Sequence, residues 1–245
     1  MSDPSRVTSR QNAIVKHMAL LGRDARARRE TGEILCEGEK LLLDALSRGV
    51  APIAVLYAKG AALPALPPDT RLFETDADVV KSVSSQKTPQ GILFTVPRPQ
   101  VTGAVDLSAK HILLDRVQDP GNVGAVIRTA EAFGLGSVML AGGCADPFGP
   151  KALRAAMGAA LRHPIREVNA DNLPPLALVA LDARGEDIKE FPPGPCIAVI
   201  GSEGAGIQPS LLARCTRRLR IPMKGGAESL NAAVAAGIFM WVMSR

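Results

Sequence analysis

Ile200-Gly201-Ser202-Glu203-Gly204-Ala205-Gly206-Ile207, with Ile221-Pro222-Met223 and Glu228-Ser229-Leu230-Asn231 downstream, is the segment around which the chain is organised. An apolar run, Cys196 to Ile200, enters a loop with three glycines; a short helical stretch and a second apolar strand ending at Ile221 follow. This is βαβ punctuation. Gly201, Gly204 and Gly206 carry no Cβ, so the loop is free to reach positive φ. Read alone, it is either a tight strand-to-helix turn or a cradle whose N–H groups meet a flat or anionic ligand. Met223 to Ser229, with Gly225 and Gly226, also follows a strand and precedes a helix. The pattern predicts two loops facing each other at the carboxyl ends of neighbouring strands, where open α/β sheets bind ligands.

Working outward, the alternation is regular from His111 onward. Strands are predicted at His111–Leu114, Ser137–Leu140, Leu176–Leu181, Cys196–Ile200 and Arg218–Ile221, with helices at Asn122–Phe133, Pro150–Leu161 and Ser229–Met243. Such alternation predicts an α/β fold with a mostly parallel sheet covered by helices on both faces. The last helix is apolar nearly all round, so it either lies deep within one chain or meets a second copy in a homodimer.

The first hundred residues predict a small α/β domain. Asn12–Leu21 and Glu37–Ser47 have helical spacing, the latter with Leu41, Leu42, Ala45 and Leu46 on one face; Glu33–Cys36, Ile53–Ala58 and Gly91–Val96 read as strands. Pro97–Lys110, with two prolines, a glycine and little periodicity, reads as the linker. The predicted domains are therefore 1–100 and 111–245.

With 245 residues, 47% of them hydrophobic and 22% charged, the chain can bury a sizeable core, which argues against disorder. The formal net charge is +5. Arg6, Arg10, Lys16, Arg23, Arg26, Arg28 and Arg29 crowd the first thirty residues, and Arg214, Arg217, Arg218, Arg220 and Lys224 come without an intervening acid. Each cluster is either a solvated surface or a footprint for the phosphates of a nucleic acid. Cys36, Cys144, Cys196 and Cys215 form no C-x-x-C pair and the three histidines show no ligand spacing, so neither a metal site nor a disulfide framework is predicted. The amino terminus has no apolar signal core, and Leu230–Met243 is too short to span a bilayer. A cytoplasmic protein without a membrane partner is expected.

The remaining chemistry-bearing stretch leaves a strand and opens a helix: Leu114-Asp115-Arg116-Val117-Gln118-Asp119-Pro120-Gly121-Asn122-Val123-Gly124-Ala125-Val126-Ile127-Arg128. Val123, Val126, Ile127 and Ala130 repeat at helical spacing and should face the sheet. Asn122 is placed as an N-cap, and Arg128 falls off the apolar stripe, either solvated or holding a phosphate.

Asn122-x-Gly124-x-x-x-Arg128-Thr129-Ala130-x-x-Phe133-Gly134, then Gly201-x-Glu203-x-x-Gly206, then Ile221-Pro222-Met223-x-Gly225 to Ser229-Leu230-Asn231 resemble the three ordered motifs of the SpoU/TrmH branch of the SPOUT RNA methyltransferases. The resemblance covers roughly His111 to the end and departs at Ala232-Ala233, where valine and serine are usual. Thr8-Ser9-x-x-Asn12-x-x-Val15-Lys16, Leu35-x-Glu37-Gly38 and Thr88-Pro89-Gln90-Gly91-Ile92 are similar to the small substrate-binding domain that often precedes this one.

The resemblance implies 2'-O-methylation of a ribose in structured RNA, ribosomal before transfer RNA, with S-adenosyl-L-methionine as donor. It also implies a homodimer and a deep trefoil knot. Chains almost never thread their own loops, so the knot is expected from the resemblance alone. The resemblance places cofactor contacts at Gly201, Ile221 and Leu230 with Met223 close by. Arg128 and Asn122 fall at the reacting ribose, with Glu203, Ser229 and Asn231 around them. Glu203 is left to orient Asn122 or Arg128 or to cap a helix; Ser229 is left as an N-cap or a catalytic hydrogen bond. An RNA-binding protein with an inactive methyltransferase core is the alternative. A nicotinamide-dependent oxidoreductase is disfavoured, since neither G-x-G-x-x-G nor an acid at the expected offset follows the first strand.

Overall fold

The computed structural model describes residues 4–224 and 229–245, which divide into two compact units. One runs to Pro99 and takes in Phe148–Leu161; the other comprises Gln100–Pro147 and Arg162–Arg245.

The first unit is built on five strands, β1 (Ser5–Val7), β2 (Glu33–Glu37), β3 (Ala54–Ala58), β4 (Arg71–Thr75) and β5 (Ile92–Pro97), in the order β1-β4-β3-β5-β2. β4 pairs in parallel with β1 and β3, and β5 pairs antiparallel to β3 and β2. Helices α1 (Ala13–Arg23), α2 (Ala25–Thr31), α3 (Glu39–Ser47) and α4 (Ala77–Val83) surround them. Asn12 caps α1 by accepting from Ile14 N, and the apolar stripe Ile14, Val15, Met18 and Leu21 is buried with Leu35, Leu56, Val80 and Leu93. β1, β4, α2 and α4 are additions to the expected elements; β1, α2 and α4 are too short to impose a clear periodicity, and β4, as long as β2 and β3, buries only Leu72 and Thr75.

Helix α6 (Pro150–Ala156) groups with this first unit, because Ala152, Leu153 and Ala156 are buried against the β2 side of its sheet. The expected division near residue 100 follows the chain, whereas by packing residues 148–161 group with the first unit. The expected linker is also anchored: Arg166 donates to Gly103 O and Ala104 O (3.0 and 3.1 Å), and the His111 ring bonds Asp106 O (2.8 Å).

The second unit carries six parallel strands in the order β11-β9-β10-β6-β7-β8. They are β6 (His111–Asp115), β7 (Val138–Leu140), β8 (Ile165–Glu167), β9 (Ala177–Asp187), β10 (Cys196–Gly201) and β11 (Arg217–Arg220). β8 is the one strand of this sheet not expected from the sequence, being only three residues long and lacking a fully buried side chain. Along β6 and β10, alternate side chains point to opposite faces. Leu113, Ile197 and Val199 pack with Ile207 and with Leu211 of α7 (Pro209–Arg214). Ile112, Leu114, Ala198 and Ile200 are buried on the other side, where α5 (Pro120–Ala132) and α8 (Ala232–Met243) pack together. Val123, Val126, Ile127 and Ala130 are buried, as their spacing predicts.

β10 and β11 are not the neighbours expected from the sequence, for β9 runs between them. Because every strand is parallel, their carboxyl ends still open on one edge of the sheet. Among the described residues no helix is long and apolar enough to cross a membrane.

Candidate active site

The site is organised by β6 and the glycine loop after β10. β6 ends in Asp115, fully buried and paired in register with Gly201. Its carboxylate accepts from Gln208 N at 2.7 Å and from Gln208 Nε2 at 3.3 Å, and Arg116 Nε lies 3.4 Å away. The loop closes on itself through Ser202 N to Gly206 O (3.2 Å) and Gly206 N to Ser202 O (2.9 Å), while Arg116 donates to Gly206 O (3.3 Å). Carboxylate, backbone bridge and guanidinium thus hold residues 201–208 from three sides.

Gly206 takes φ 63°, the one positive φ among the three loop glycines. A Cβ on Gly201 would stand 2.1 Å from the Gly206 carbonyl carbon, so the missing side chain at Gly201 is required for the loop to close upon itself. That requirement is independent of any bound ligand.

Two caps differ from expectation: the first frees Asn122 for the site, and the second gives Asn231 a double use. Asp119, not Asn122, caps α5: its carboxylate accepts from Asn122 N at 3.0 Å, and Pro120 occupies the first turn, where a missing N–H costs nothing. Asn231, not Ser229, caps α8, accepting from Ala233 N (3.0 Å) and Val234 N (3.3 Å) through Oδ1. With its backbone bound by Asp119, Asn122 spends its amide elsewhere. Its Nδ2 donates to Glu203 Oε1, and its Oδ1 accepts from Asn231 Nδ2 at 3.0 Å. Glu203, Asn122 and Asn231, from three separate motifs, form one hydrogen-bonded chain ending on the amino terminus of α8. Ser229 is exposed and stands outside it.

Arg128 lies six residues beyond Asn122 on α5, about 9 Å along the axis. It is exposed, and among the described residues it makes no hydrogen bond or ion pair. Ile221 and Leu230 are half-buried and Met223 is 39% exposed. Among the described residues the peptide groups of 221–224 make no backbone hydrogen bond. Gly225, Gly226, Ala227 and Glu228, the rest of the second expected loop, lie outside the described residues. Asp115 and Arg116 are anchors not anticipated; the signal for Asp115 in the sequence is an acid directly after the apolar Ile112-Leu113-Leu114.

Of the two basic clusters, the first is partly internal: Arg28 is 5% exposed and donates to Leu21 O, and Arg26 pairs with Glu30. In the second, Arg217 pairs with Glu186, Arg214 and Arg220 reach the carbonyls of Ala170 and Gly185, and Arg218 is exposed.

The dual use of Asn231 gives a test. Asn231→Asp keeps a good cap but removes the donor to Asn122, and it sets a second carboxylate near Glu203. Melting temperature should change by less than a few degrees while turnover falls at least tenfold. Asn231→Ala should lose both, with about 1 kcal/mol of stability. Equal turnover in Asn231→Asp and the parent would remove Asn231 from the site.

The model of the SpoU rRNA methylase family matches residues 109–241, and that of the MRM3-like substrate-binding domain matches residues 12–93. The 23S rRNA (guanosine(2553)-2'-O)-methyltransferase RlmP of Bacillus subtilis is 34% identical, the match covering 87% of this chain and 89% of that one. An uncharacterized tRNA/rRNA methyltransferase of Synechocystis is 30% identical, with 100% and 95% covered. The AdoMet-bound rRNA methyltransferase of Sinorhizobium meliloti superposes with a TM-score of 0.84 at 28% identity over 98% of this chain and 97% of that one. AviRb of Streptomyces viridochromogenes in complex with AdoMet gives a TM-score of 0.83 at 26% identity, covering 96% and 97%. The ordered motifs, the parallel sheet and these matches agree: the chain belongs to the SpoU rRNA methylase family.

Proposed function

We propose that the protein methylates the 2'-hydroxyl of a ribose in ribosomal RNA, with S-adenosyl-L-methionine as the donor. The observation that carries this reading is the Glu203–Asn122–Asn231 chain, which joins the three motifs at one edge of the sheet. A descendant that only bound RNA would have little reason to keep Glu203 and Asn122 joined to the Asn231 cap.

The residues present fit the cofactor. Ile221, Met223 and Leu230 offer apolar surface to a flat adenine, and the peptide groups of 221–224 offer its polar edge unspent donors and acceptors. The closed 201–206 turn supplies a rigid wall. When bound, S-adenosyl-L-methionine supplies an electrophilic methyl group on a sulfonium.

The chain's own task is to hold the sugar hydroxyl in line and ease loss of its proton. A guanidinium offers donors and no acceptor, so Arg128 serves as a clamp on the hydroxyl or the adjoining phosphate and stabilises charge developing on the oxygen. Glu203 and Asn231 are positioning residues: they fix both ends of the Asn122 amide, so that its orientation is set before substrate arrives.

The reading extends to a homodimer, a cytoplasmic location and the trefoil threading of the family. α8 leaves Val234 52% and Trp241 45% exposed, apolar surface that a second copy would cover. β10 enters between β6 and β9, and the chain returns from edge strand β11 to pack α8 on α5, which supports the threading.

The deciding experiment maps ribose-methylated positions in ribosomal RNA from cells with and without the gene, then restores the missing mark with pure protein and labelled S-adenosyl-L-methionine. Binding of that RNA should weaken steeply with added salt, because few aromatic side chains are available for stacking and backbone charge must dominate. Unchanged maps, or salt-independent binding, would defeat the proposal.

A further inference from the structure

A cavity of about 290 Å³ lies in the first unit, lined by the first turn of α3, the loop 85–90 and α6. Leu41, Leu153 and Met157 give it aliphatic walls, and Gln86 and Gln90 reach it with side-chain amides that bond no described residue. Its charged lining is balanced, Lys40 and Arg154 against Glu37 and Asp44. An anion therefore gains little there. A planar, uncharged group with donors and acceptors along its edge gains most, since amides and carboxylates read such an edge and aliphatic faces sandwich the plane.

The surrounding backbone is arranged to keep this space open. Gly38, at φ 100°, starts α3 without a side-chain cap, and a Cβ there would meet Gln90 Oε1 at 2.5 Å. Met157, at the end of α6, takes φ 50° and is 45% exposed. Only Arg116, at the glycine loop of the second unit, shares a positive φ among described non-glycine residues. Met157 is the left-handed C-cap that ends α6, and the cap sets its exposed thioether at the cavity. Arg154 donates to Ser85 Oγ at 3.3 Å, tying the α6 wall to the loop opposite.

We propose that this cavity receives one unstacked base of the RNA substrate, held by Gln86 and Gln90 between Leu41 and Met157. The inference rests on the ribose-methyltransferase reading and adds to it a second point of contact. Recognition then combines backbone charge with one extruded base, the usual way single-stranded RNA is read. The aliphatic walls make the thioether and leucine faces, and not aromatic rings, the stacking surface.

The test uses the full chain with methyl-labelled methionine. Titration with each of the four ribonucleoside 5'-monophosphates should shift the Met157 methyl resonance for at least one of them. S-adenosyl-L-methionine should move Met223 and leave Met157 unmoved. Ser85→Trp, which fills the cavity from its exposed rim, should weaken ribosomal RNA binding about tenfold, with affinity for S-adenosyl-L-methionine unchanged. Gln90→Leu, which removes an amide at similar volume, should weaken it about fivefold. If both folded variants bind ribosomal RNA as the parent does, the base pocket is refuted while the methyltransferase reading stands. A parent protein that neither binds the cofactor nor methylates ribosomal RNA overturns the reading beneath it.

Discussion

Arg128→Ala is expected to lower methyl transfer to ribosomal RNA by about 10²–10³-fold, the loss typical of removing one preorganised donor from a developing oxyanion. The fold should not notice. Arg128 is exposed on α5 and makes no hydrogen bond or ion pair with any described residue, so its removal leaves no buried partner unsatisfied. Affinity for S-adenosyl-L-methionine should stay within about twofold, because the proposed cofactor contacts come from Ile221, Met223 and Leu230. Arg128→Lys separates a point charge from a planar fork: lysine restores charge but not bidentate geometry, so recovery should be partial. Single-turnover incorporation of labelled methyl measures the two losses of rate, and calorimetry measures the cofactor affinity. Near-parental turnover in the alanine variant would take Arg128 out of the chemistry and leave Asn122 as the remaining candidate at the sugar.

The second unit was legible where periodicity and motif order coincide. Val123, Val126, Ile127 and Ala130 repeat at helical spacing and are buried; His111–Leu114 and Cys196–Ile200 read as buried strands and pair directly in register. Caps were harder. Asp119, Asn122, Ser229 and Asn231 are all good N-cap residues, and local chemistry cannot choose between neighbours three or two apart. The choice is tertiary: Asn122 is held by Glu203 and Asn231, so Asp119 takes the cap. Strand order was illegible for a similar reason. Nothing in the spacing of β10 and β11 reveals that β9 lies between them, since β9 pairs with both through backbone groups that every sequence carries. Nor does periodicity reveal that α6 belongs with the first unit, because an apolar stripe specifies burial and not the sheet that provides it.

Asp115 carries the largest expected effect on stability. Its carboxylate is fully buried, receives Gln208 N at 2.7 Å and faces Arg116 at 3.4 Å, so Asp115→Ala strands the Gln208 N–H and removes the charge facing Arg116, which keeps its bond to Gly206 O. Leaving such groups unpaired costs about 2–3 kcal/mol, taken at the lower end because the Arg116 side chain is 31% exposed and water offsets part of the loss. For a chain of this length that corresponds to a fall of roughly 5–10 °C in melting temperature. The functional loss should be larger than the stability loss, since the carboxylate is one of three ties on residues 201–208 and Glu203 rides on that turn. Binding of S-adenosyl-L-methionine, measured calorimetrically well below the melting range, should weaken at least tenfold. Asp115→Asn tests the attribution: it keeps the acceptor for Gln208 N but gives up the charge facing Arg116, so it should fall between parent and alanine in both measurements. If Asp115→Ala melted and bound the cofactor like the parent, the turn would be held by its own Ser202–Gly206 bridge, and the buried acid at the end of β6 would be structural ballast.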